Sequence, residues 1–173
     1  MASELSIRRY RPADETRTRE LHEAALRAVP GFAFVEDVPE PDLDRIEDHY
    51  LDADGEFLVG LRKGVVVAMG AFRPVAERTA AAFDSLVGPV AELKRMRVDP
   101  DHQRRGYGQR IYDELESRAR ERGYQELVLD TSPQQVAARR FYERNGFTGE
   151  RTLEVEAFGE AFELVMYRKR LAD

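Results

Sequence analysis

Periodic apolar positions predict two helices after a short first strand. Residues 6–10 predict the strand, and apolar residues three and four positions apart within 21–28 predict an amphipathic helix that ends at Pro30-Gly31. A second, shorter helix is predicted over residues 41–50, with its acidic side chains on the outer side. The chain therefore begins with one strand followed by two helices.

The next segment predicts a hairpin and then a loop. Two β-rich runs, residues 57–61 and 65–72, flank a turn at Lys63-Gly64, an arrangement typical of antiparallel strands. Residues 74–90 have no clear period, and we interpret them as a loop in which the alanines form a short helix.

The second half contains two strand-helix units and two closing strands. Residues 91–98 predict a strand that leads through a glycine loop into a helix, which Gly123 ends. Residues 126–130 predict the next strand, and Ser132-Pro133 predicts the start of a helix that ends at Asn145-Gly146. Two further strands are predicted before and after Gly159. The order of elements indicates an α/β fold with a mixed sheet.

The strand over residues 91–98 is unusually polar. It carries Glu92, Lys94, Arg95 and Arg97, whereas a central strand is normally a run of apolar residues. The pattern alone therefore predicts an edge strand.

Composition limits the class of protein. At 173 residues the chain fits one domain over residues 1–173, and 42% hydrophobic with 35% charged residues indicates a globular protein. No membrane span or signal peptide is recognisable, so we expect a cytoplasmic location. The absence of cysteine excludes disulfides and thiolate sites, and a net charge of −6 argues against nucleic-acid binding. The oligomeric state is left open, with a homodimer among the alternatives.

A glycine loop between the charged strand and its helix is the clearest candidate site. Gly106 and Gly108 let the backbone approach a ligand, and the N-terminus of the helix favours an anion such as a pyrophosphate. An ordinary glycine-containing loop is the alternative. Two nucleotide motifs are excluded, because the Walker lysine is missing and Ile111 occupies the third glycine position of the dinucleotide fingerprint.

Three ordered segments resemble the GCN5-related N-acetyltransferase (GNAT) superfamily: Val98-Asp99-Pro100, the Gln103-x-x-Gly106-x-Gly108 loop, and residues 141–147 with the sequence FYERNGF. The resemblance implies a mixed, mostly antiparallel sheet flanked by helices and splayed at the strand that ends near Val98. Acetyl-coenzyme A would lie in the opening, and the charged strand would be central.

The resemblance also implies which residues bind the cofactor. The strand backbone at Met96, Arg97 and Val98 would bond the acetyl carbonyl and the pantetheine arm. The loop would hold the pyrophosphate through Gln103, Arg104, Arg105, Gly106, Tyr107, Gly108 and Gln109, and Arg104 is favoured over Arg105 for a side-chain contact. Where the family often has an asparagine, this chain has Gln135.

Catalysis needs an acid for the departing thiolate and a base for the amine. Tyr142 matches the family's general acid, although a tyrosine packed beside Phe141 is the alternative. We assign the base to Glu92 with Asp130 in reserve, the alternative for Glu92 being a structural ion pair with Lys94 or Arg95. A backbone N–H near Met96 or Val98 would stabilise the oxyanion.

The predicted function is transfer of an acetyl group from acetyl-coenzyme A directly to a primary amine. A non-catalytic or regulatory acyl-coenzyme A binding module is the alternative, and an interaction protein is a third reading. The acidic region 36–48 favours a cationic small molecule or peptide as acceptor, although a solvated helix face explains it equally well. No metal is assigned, because His22, His49 and His102 lack metal-ligand spacing and are expected on the surface.

Overall fold

Seven strands form one sheet in the order β1-β2-β3-β4-β5-β7-β6 in the computed structural model, which describes residues 4–157 and 159–171. All neighbouring strands are antiparallel except β4 and β5, which are parallel. The strands are β1 (Ser6–Arg9), β2 (Glu56–Arg62), β3 (Val65–Pro74), β4 (Val90–Val98), β5 (Glu126–Thr131), β6 (Thr148–Ala157) and β7 (Glu160–Arg170). The mixed, mostly antiparallel sheet that was predicted is confirmed.

Helices cover both faces of this sheet. They are α1 (Glu15–Arg27), α2 (Pro41–Asp44), α3 (Glu77–Ala80), α4 (Tyr107–Glu121) and α5 (Val136–Arg144). Successive strand residues point to opposite faces, so Leu58 packs with α4 on one side while Phe57 packs with Leu21 of α1 on the other. In the described ranges 4–157 and 159–171, none of the helices has the length and apolarity needed to cross a membrane.

Two helix predictions are wrong in their bounds. The helix predicted over residues 41–50 is split into α2 and a π-helical turn at Glu47–Leu51, because Arg45 leaves the helical conformation with φ −142° and ψ 61°. The helix predicted to start at Ser132-Pro133 begins at Val136. The Ser132 carbonyl instead accepts the N–H of Gln135, which closes a separate turn before the helix.

The charged strand β4 lies in the middle of the sheet, between β3 and β5. The edge position predicted from its polar residues is wrong, and the central position implied by the family resemblance is confirmed. A central strand tolerates these charges because several of them find partners on one face, such as Lys94 with Glu92 and Arg95 with Asp42.

The sheet opens where β4 and β5 separate. They pair only at Val90–Glu126, Ala91–Leu127 and Glu92–Val128, although β4 continues to Val98. The remaining part of β4 therefore has a neighbour on the β3 side alone, which is the splay that was predicted.

A β-bulge shapes the unpaired part of β4. Ala71 of β3 pairs with Lys94 and Met69 pairs with Arg97, so Arg95 and Met96 together oppose the single residue Gly70. Arg95 has a φ of 59°, and a Cβ at Gly70 would collide with the Met96 sulfur and the Ile111 side chain. Glycine at position 70 is what allows the bulge to form.

Candidate active site

A cleft of about 940 Å³ occupies the opening between β4 and β5. Its floor is the segment of β4 from Leu93 to Arg97, and Asp130 and Tyr142 contribute from β5 and α5. The other walls come from α1, from residues 31–40, and from the β6–β7 hairpin. The cleft therefore brings together residues from both halves of the chain.

The glycine loop lies just beyond the end of β4 and has room for a ligand. Gly106 has a φ of 81°, and a Cβ built there would meet no atom within 4 Å. At Gly108 a Cβ would lie 3.5 Å from the Val98 side chain. The loop leads into α4, a helix of 15 residues whose first N–H groups have no partner within the helix. This open cradle at a helix N-terminus fits a pyrophosphate.

Most side chains of the loop have other roles. The Tyr107 ring is buried in the core beneath α4, and the Gln103 amide donates to the Val98 carbonyl over 3.3 Å. The Gln109 and Asn145 amides bond to each other, at 2.7 Å and 3.1 Å. At Gln103, Tyr107 and Gln109, a ligand could therefore be bound by backbone groups but not by the side chains.

Arg104 and Arg105 are exposed in the same loop. Arg104 has a φ of 62°, so the chain turns through the left-handed region at Arg104 and again at Gly106. Two such residues close together expose the backbone N–H groups between them, as anion-binding loops do.

The backbone of β4 presents hydrogen-bonding groups to the cleft. The backbone N–H of Asp99 donates to the Val67 carbonyl over 2.8 Å, so Asp99 and Val67 form a hydrogen-bonded pair of the ladder. In an antiparallel ladder the next pair, Val98 with Ala68, is then not hydrogen-bonded, so the Val98 N–H points away from β3. Met96 is different, since its carbonyl already accepts the Arg97 guanidinium over 2.9 Å.

Tyr142 lies on α5 with its ring in an aromatic cluster and its edge in the cleft. The centroid of the ring is 5.5 Å from that of Phe141 and 5.7 Å from that of Phe147. Burial raises the pKa of Tyr142 to about 12, an effect that the nearby Arg97 opposes. No hydrogen bond joins its hydroxyl to another residue in the described part of the chain. Gln135, which precedes α5, also lines the cleft.

The two candidate carboxylates occupy different environments. Glu92 is 1% exposed and accepts the Ala76 N–H over 3.2 Å and the Lys94 ammonium over 3.3 Å, and it is absent from the cleft lining. Asp130 does line the cleft and keeps an edge open to it. The surrounding protein nevertheless desolvates Asp130 and raises its pKa, while the charge of Lys94 acts in the opposite direction.

Ion pairs neutralise much of the acidic region 36–48. Arg95 contacts Glu40 at 2.5 Å and Asp42 at 2.6 Å. Burial alone would raise the pKa of Glu40, but hydrogen bonds from His22 and Arg95 and the charge of Arg95 hold it at about 2. Three further acids pair with arginines: Glu36 with Arg27, Asp44 with Arg19, and Asp48 with Arg45. The field that would attract a cation is therefore weakened.

His22 is 5% exposed, so its expected surface position is wrong. It belongs to a buried stripe on α1 with Thr18, Leu21 and Ala25. That spacing of three and four residues was present in the sequence and is the signal that identifies His22 as an interior residue. Burial lowers the pKa of His22, which keeps the ring neutral at neutral pH.

Metal coordination has no candidate within the described residues, where no three His, Asp or Glu side chains form a group that could hold an ion.

Comparison with known proteins gives consistent results. Residues 18–147 match the profile of the acetyltransferase (GNAT) family. A curated relative, an IAA acetyltransferase from Azospirillum brasilense, is 34% identical over 94 residues. That match covers 54% of this chain and 55% of the relative, so the chain spans about half the length of the curated protein it matches.

Solved structures share the fold over nearly the whole chain. A GNAT-family acetyltransferase from Staphylococcus aureus Mu50 has a TM-score of 0.79 at 19% identity, covering 98% of this chain and 100% of the other. The protein yncA from Salmonella typhimurium, solved with its cofactor acetyl-CoA, has a TM-score of 0.74 at 22% identity, and the match covers 99% of this chain and 96% of the other. With the family profile extending over most of its length, the chain belongs to the acetyltransferase (GNAT) family.

Proposed function

We propose that residues 1–173 form one N-acetyltransferase domain that moves the acetyl group of acetyl-coenzyme A directly to a primary amine. The observation that carries this proposal is the opening between β4 and β5. It has the glycine loop beyond its end and both a phenol and a carboxyl group in its walls. A cytoplasmic location stays a prediction.

The coenzyme site uses backbone groups in this proposal. Acetyl-coenzyme A, when bound, supplies an activated acetyl thioester. The N–H groups between Gln103 and Gln109 hold the pyrophosphate at the start of α4, and Arg104 is the loop side chain best suited to a phosphate. The Val98 N–H, which points away from β3, donates a hydrogen bond to the acetyl carbonyl or to the pantetheine arm, and Gln135 borders the same space.

Tyr142 is the proposed general acid. As the nitrogen–carbon bond forms and the carbon–sulfur bond breaks, the Tyr142 hydroxyl gives its proton to the departing thiolate. Its raised pKa keeps the phenol protonated at neutral pH. The proton lost by the amine goes to a nearby carboxylate, directly or through water.

Glu92 and Asp130 are the two candidates for that carboxylate. Glu92, our first assignment, has partners that suit the structural alternative, namely the Ala76 N–H and Lys94. Asp130 lines the cleft and has a raised pKa, two properties expected of a base. The comparison of their amide variants separates the roles.

If Glu92 is the base, Glu92→Gln should lower kcat at neutral pH by about 10²-fold or more and leave coenzyme affinity unchanged. The loss should shrink as pH rises, because more of the acceptor amine is then already neutral. Asp130→Asn is the matched control and should show that behaviour instead if Asp130 is the base. pH–rate profiles and melting curves of both variants show which of the two carboxylates is the base. A destabilised but fully active Glu92→Gln protein would leave Glu92 with a structural role only.

The function itself is tested with purified protein, acetyl-coenzyme A and a panel of amines, following the release of free thiol. The panel includes a polyamine, a lysine peptide, a peptide with a free N-terminus and an aminoglycoside, which represent the cationic acceptors predicted from the acidic region. Thiol release should require both enzyme and amine, and the acetylated amine should be recovered. Binding of the coenzyme without transfer to any amine would favour the acyl-coenzyme A binding module.

A further inference from the structure

Arg97 is a cleft cation whose partners are uncharged. Its Nη1 donates to the Met96 carbonyl over 2.9 Å and its Nε donates to Nδ1 of His22 over 3.3 Å. Across residues 4–157 and 159–171, no carboxylate lies within ion-pair distance of it. A guanidinium has five N–H groups, so others remain for a ligand. Its neighbour Arg95, by contrast, is held by two carboxylates, Glu40 and Asp42.

The guanidinium of Arg97 is also held in place. His22 accepts from Arg97 on one nitrogen, and its other nitrogen lies 3.4 Å from the Glu40 carboxylate. This chain of contacts fixes the orientation of Arg97 before any ligand binds, which lowers the entropic cost of binding. A desolvated cation without an anionic partner is costly, and burial lowers the pKa of Arg97 accordingly. An anion entering the cleft would offset that cost.

The position of Arg97 restricts where the anion sits. Arg97 directly precedes Val98, whose N–H we place beside the acetyl group, and it is close enough to Tyr142 and Asp130 for an electrostatic interaction with both groups. An anion bound here is therefore next to the reacting amine. One carbon separates the amine from the carboxylate in an α-amino acid, which matches this short spacing. The planar fork of a guanidinium also matches the geometry of a carboxylate.

The walls on the acceptor side combine charged residues with a large group of apolar side chains. They include the aromatic rings of Phe32, Phe34 and Phe162 and the aliphatic side chains of Leu26, Val155 and Leu164. Such a surface suits an apolar side chain better than a polyamine or an aminoglycoside.

We propose that the acceptor is an α-amino acid with an apolar side chain, whose carboxylate is bound by Arg97 while its amine faces the acetyl group. This proposal rests on the proposed acetyl transfer and names the class of acceptor for it. His22 is a positioning residue that orients Arg97.

The test compares amino acids with their amides, which lack the carboxylate charge. Leucine, methionine and phenylalanine are each paired with the corresponding carboxamide as acceptors, and kcat/KM is measured for wild-type protein and Arg97→Gln. The ratio of acid to amide should fall about 10- to 100-fold in Arg97→Gln, the size expected for a hydrogen bond to a charged group. Because the ratio is compared between variants, the different basicity of acids and amides cancels.

Arg19→Gln is the matched control, because Arg19 lines the same cleft but pairs with Asp44. It should leave the ratio unchanged. Arg97→Lys, which keeps the charge but loses the planar fork, should recover part of the preference for the acid. Melting curves show whether Arg97→Gln is folded. If Arg97→Gln does not fold, the acid-to-amide ratio of Arg97→Lys is compared with that of the wild-type protein instead.

Binding provides a readout that does not depend on turnover. With saturating coenzyme A, leucine should raise the melting temperature of the wild-type protein more than leucinamide does. Equal shifts, or an acid-to-amide ratio that Arg97→Gln leaves unchanged, would overturn the amino-acid proposal even if amines are acetylated. Absence of transfer to every amine, with selective stabilisation by leucine, would instead contradict the proposed function and leave the carboxylate site intact.

Discussion

Gly106→Asp should lower the affinity for acetyl-coenzyme A by about 10²-fold or more. The space above Gly106 is open in the structure, so a side chain at this position would point into the cradle that we assign to the pyrophosphate. An aspartate adds a like charge there, and placing like charges together costs several kcal/mol, each 1.4 kcal/mol being about tenfold in affinity. Calorimetric titration of both proteins measures the difference.

Backbone strain must be separated from the effect on the ligand. Gly106 has a φ of 81°, which disfavours any side chain, so the substitution costs stability as well. Gly123→Asp is the matched control, because Gly123 has a φ of 84° and equally open space but lies beyond the far end of α4. It should show a similar drop in melting temperature with normal coenzyme affinity. Equal affinities for the two variants would move the pyrophosphate away from the loop.

The strand-loop-helix unit around this glycine loop was predictable because its signals are local. Gly106 and Gly108 mark the turn, the apolar spacing of α4 follows at once, and Gly123 ends it with a positive φ. The hairpin of β2 and β3 was predictable for the same reason. Each of these elements is specified within a few residues, so no knowledge of the rest of the chain is needed.

The position of β4 could not be derived from its own residues. Its charges are typical of an edge strand, yet β4 is central, and its polar side chains contact partners from distant segments. Asp42 reaches Arg95 from 53 positions away, and His22 reaches Arg97 from 75 positions away. Such pairings depend on tertiary structure, which local hydrophobic patterns do not describe. Only the ordered family motifs placed the strand correctly.

The same dependence on tertiary structure limited the prediction of the acceptor. From the sequence, the acidic residues of region 36–48 favoured a cationic acceptor, with a solvated helix face as the equal alternative. In the folded protein, Glu40 and Asp42 form ion pairs with Arg95 at the bulge. Arg97 lies in the cleft as a cation whose partners are uncharged. The bulge in turn requires Gly70 opposite Met96, a contact between strands that leaves no periodic signature.

Tyr142→Phe should lower kcat by about 10²- to 10⁴-fold and leave coenzyme affinity nearly unchanged, because the phenol is needed when the thiolate departs and not when the coenzyme binds. Since burial raises the pKa of Tyr142 to about 12, the wild-type phenol is protonated throughout the neutral range. The loss in the variant should therefore be nearly constant across that range and should disappear only where wild-type Tyr142 itself ionises. Rates and calorimetric affinities measured over a pH series provide the comparison.

Tyr112→Phe is the control that separates chemistry from packing. The Tyr112 ring belongs to the same aromatic cluster, with its centroid 5.9 Å from that of Phe141, but its hydroxyl lies 3.1 Å from the Lys169 ammonium instead of facing the cleft. Removing that hydroxyl should lower the melting temperature and leave kcat close to the wild-type value. If Tyr142→Phe behaves in the same way, with unaltered turnover at every pH, Tyr142 is a packing residue and the thiolate takes its proton from water or from the amine.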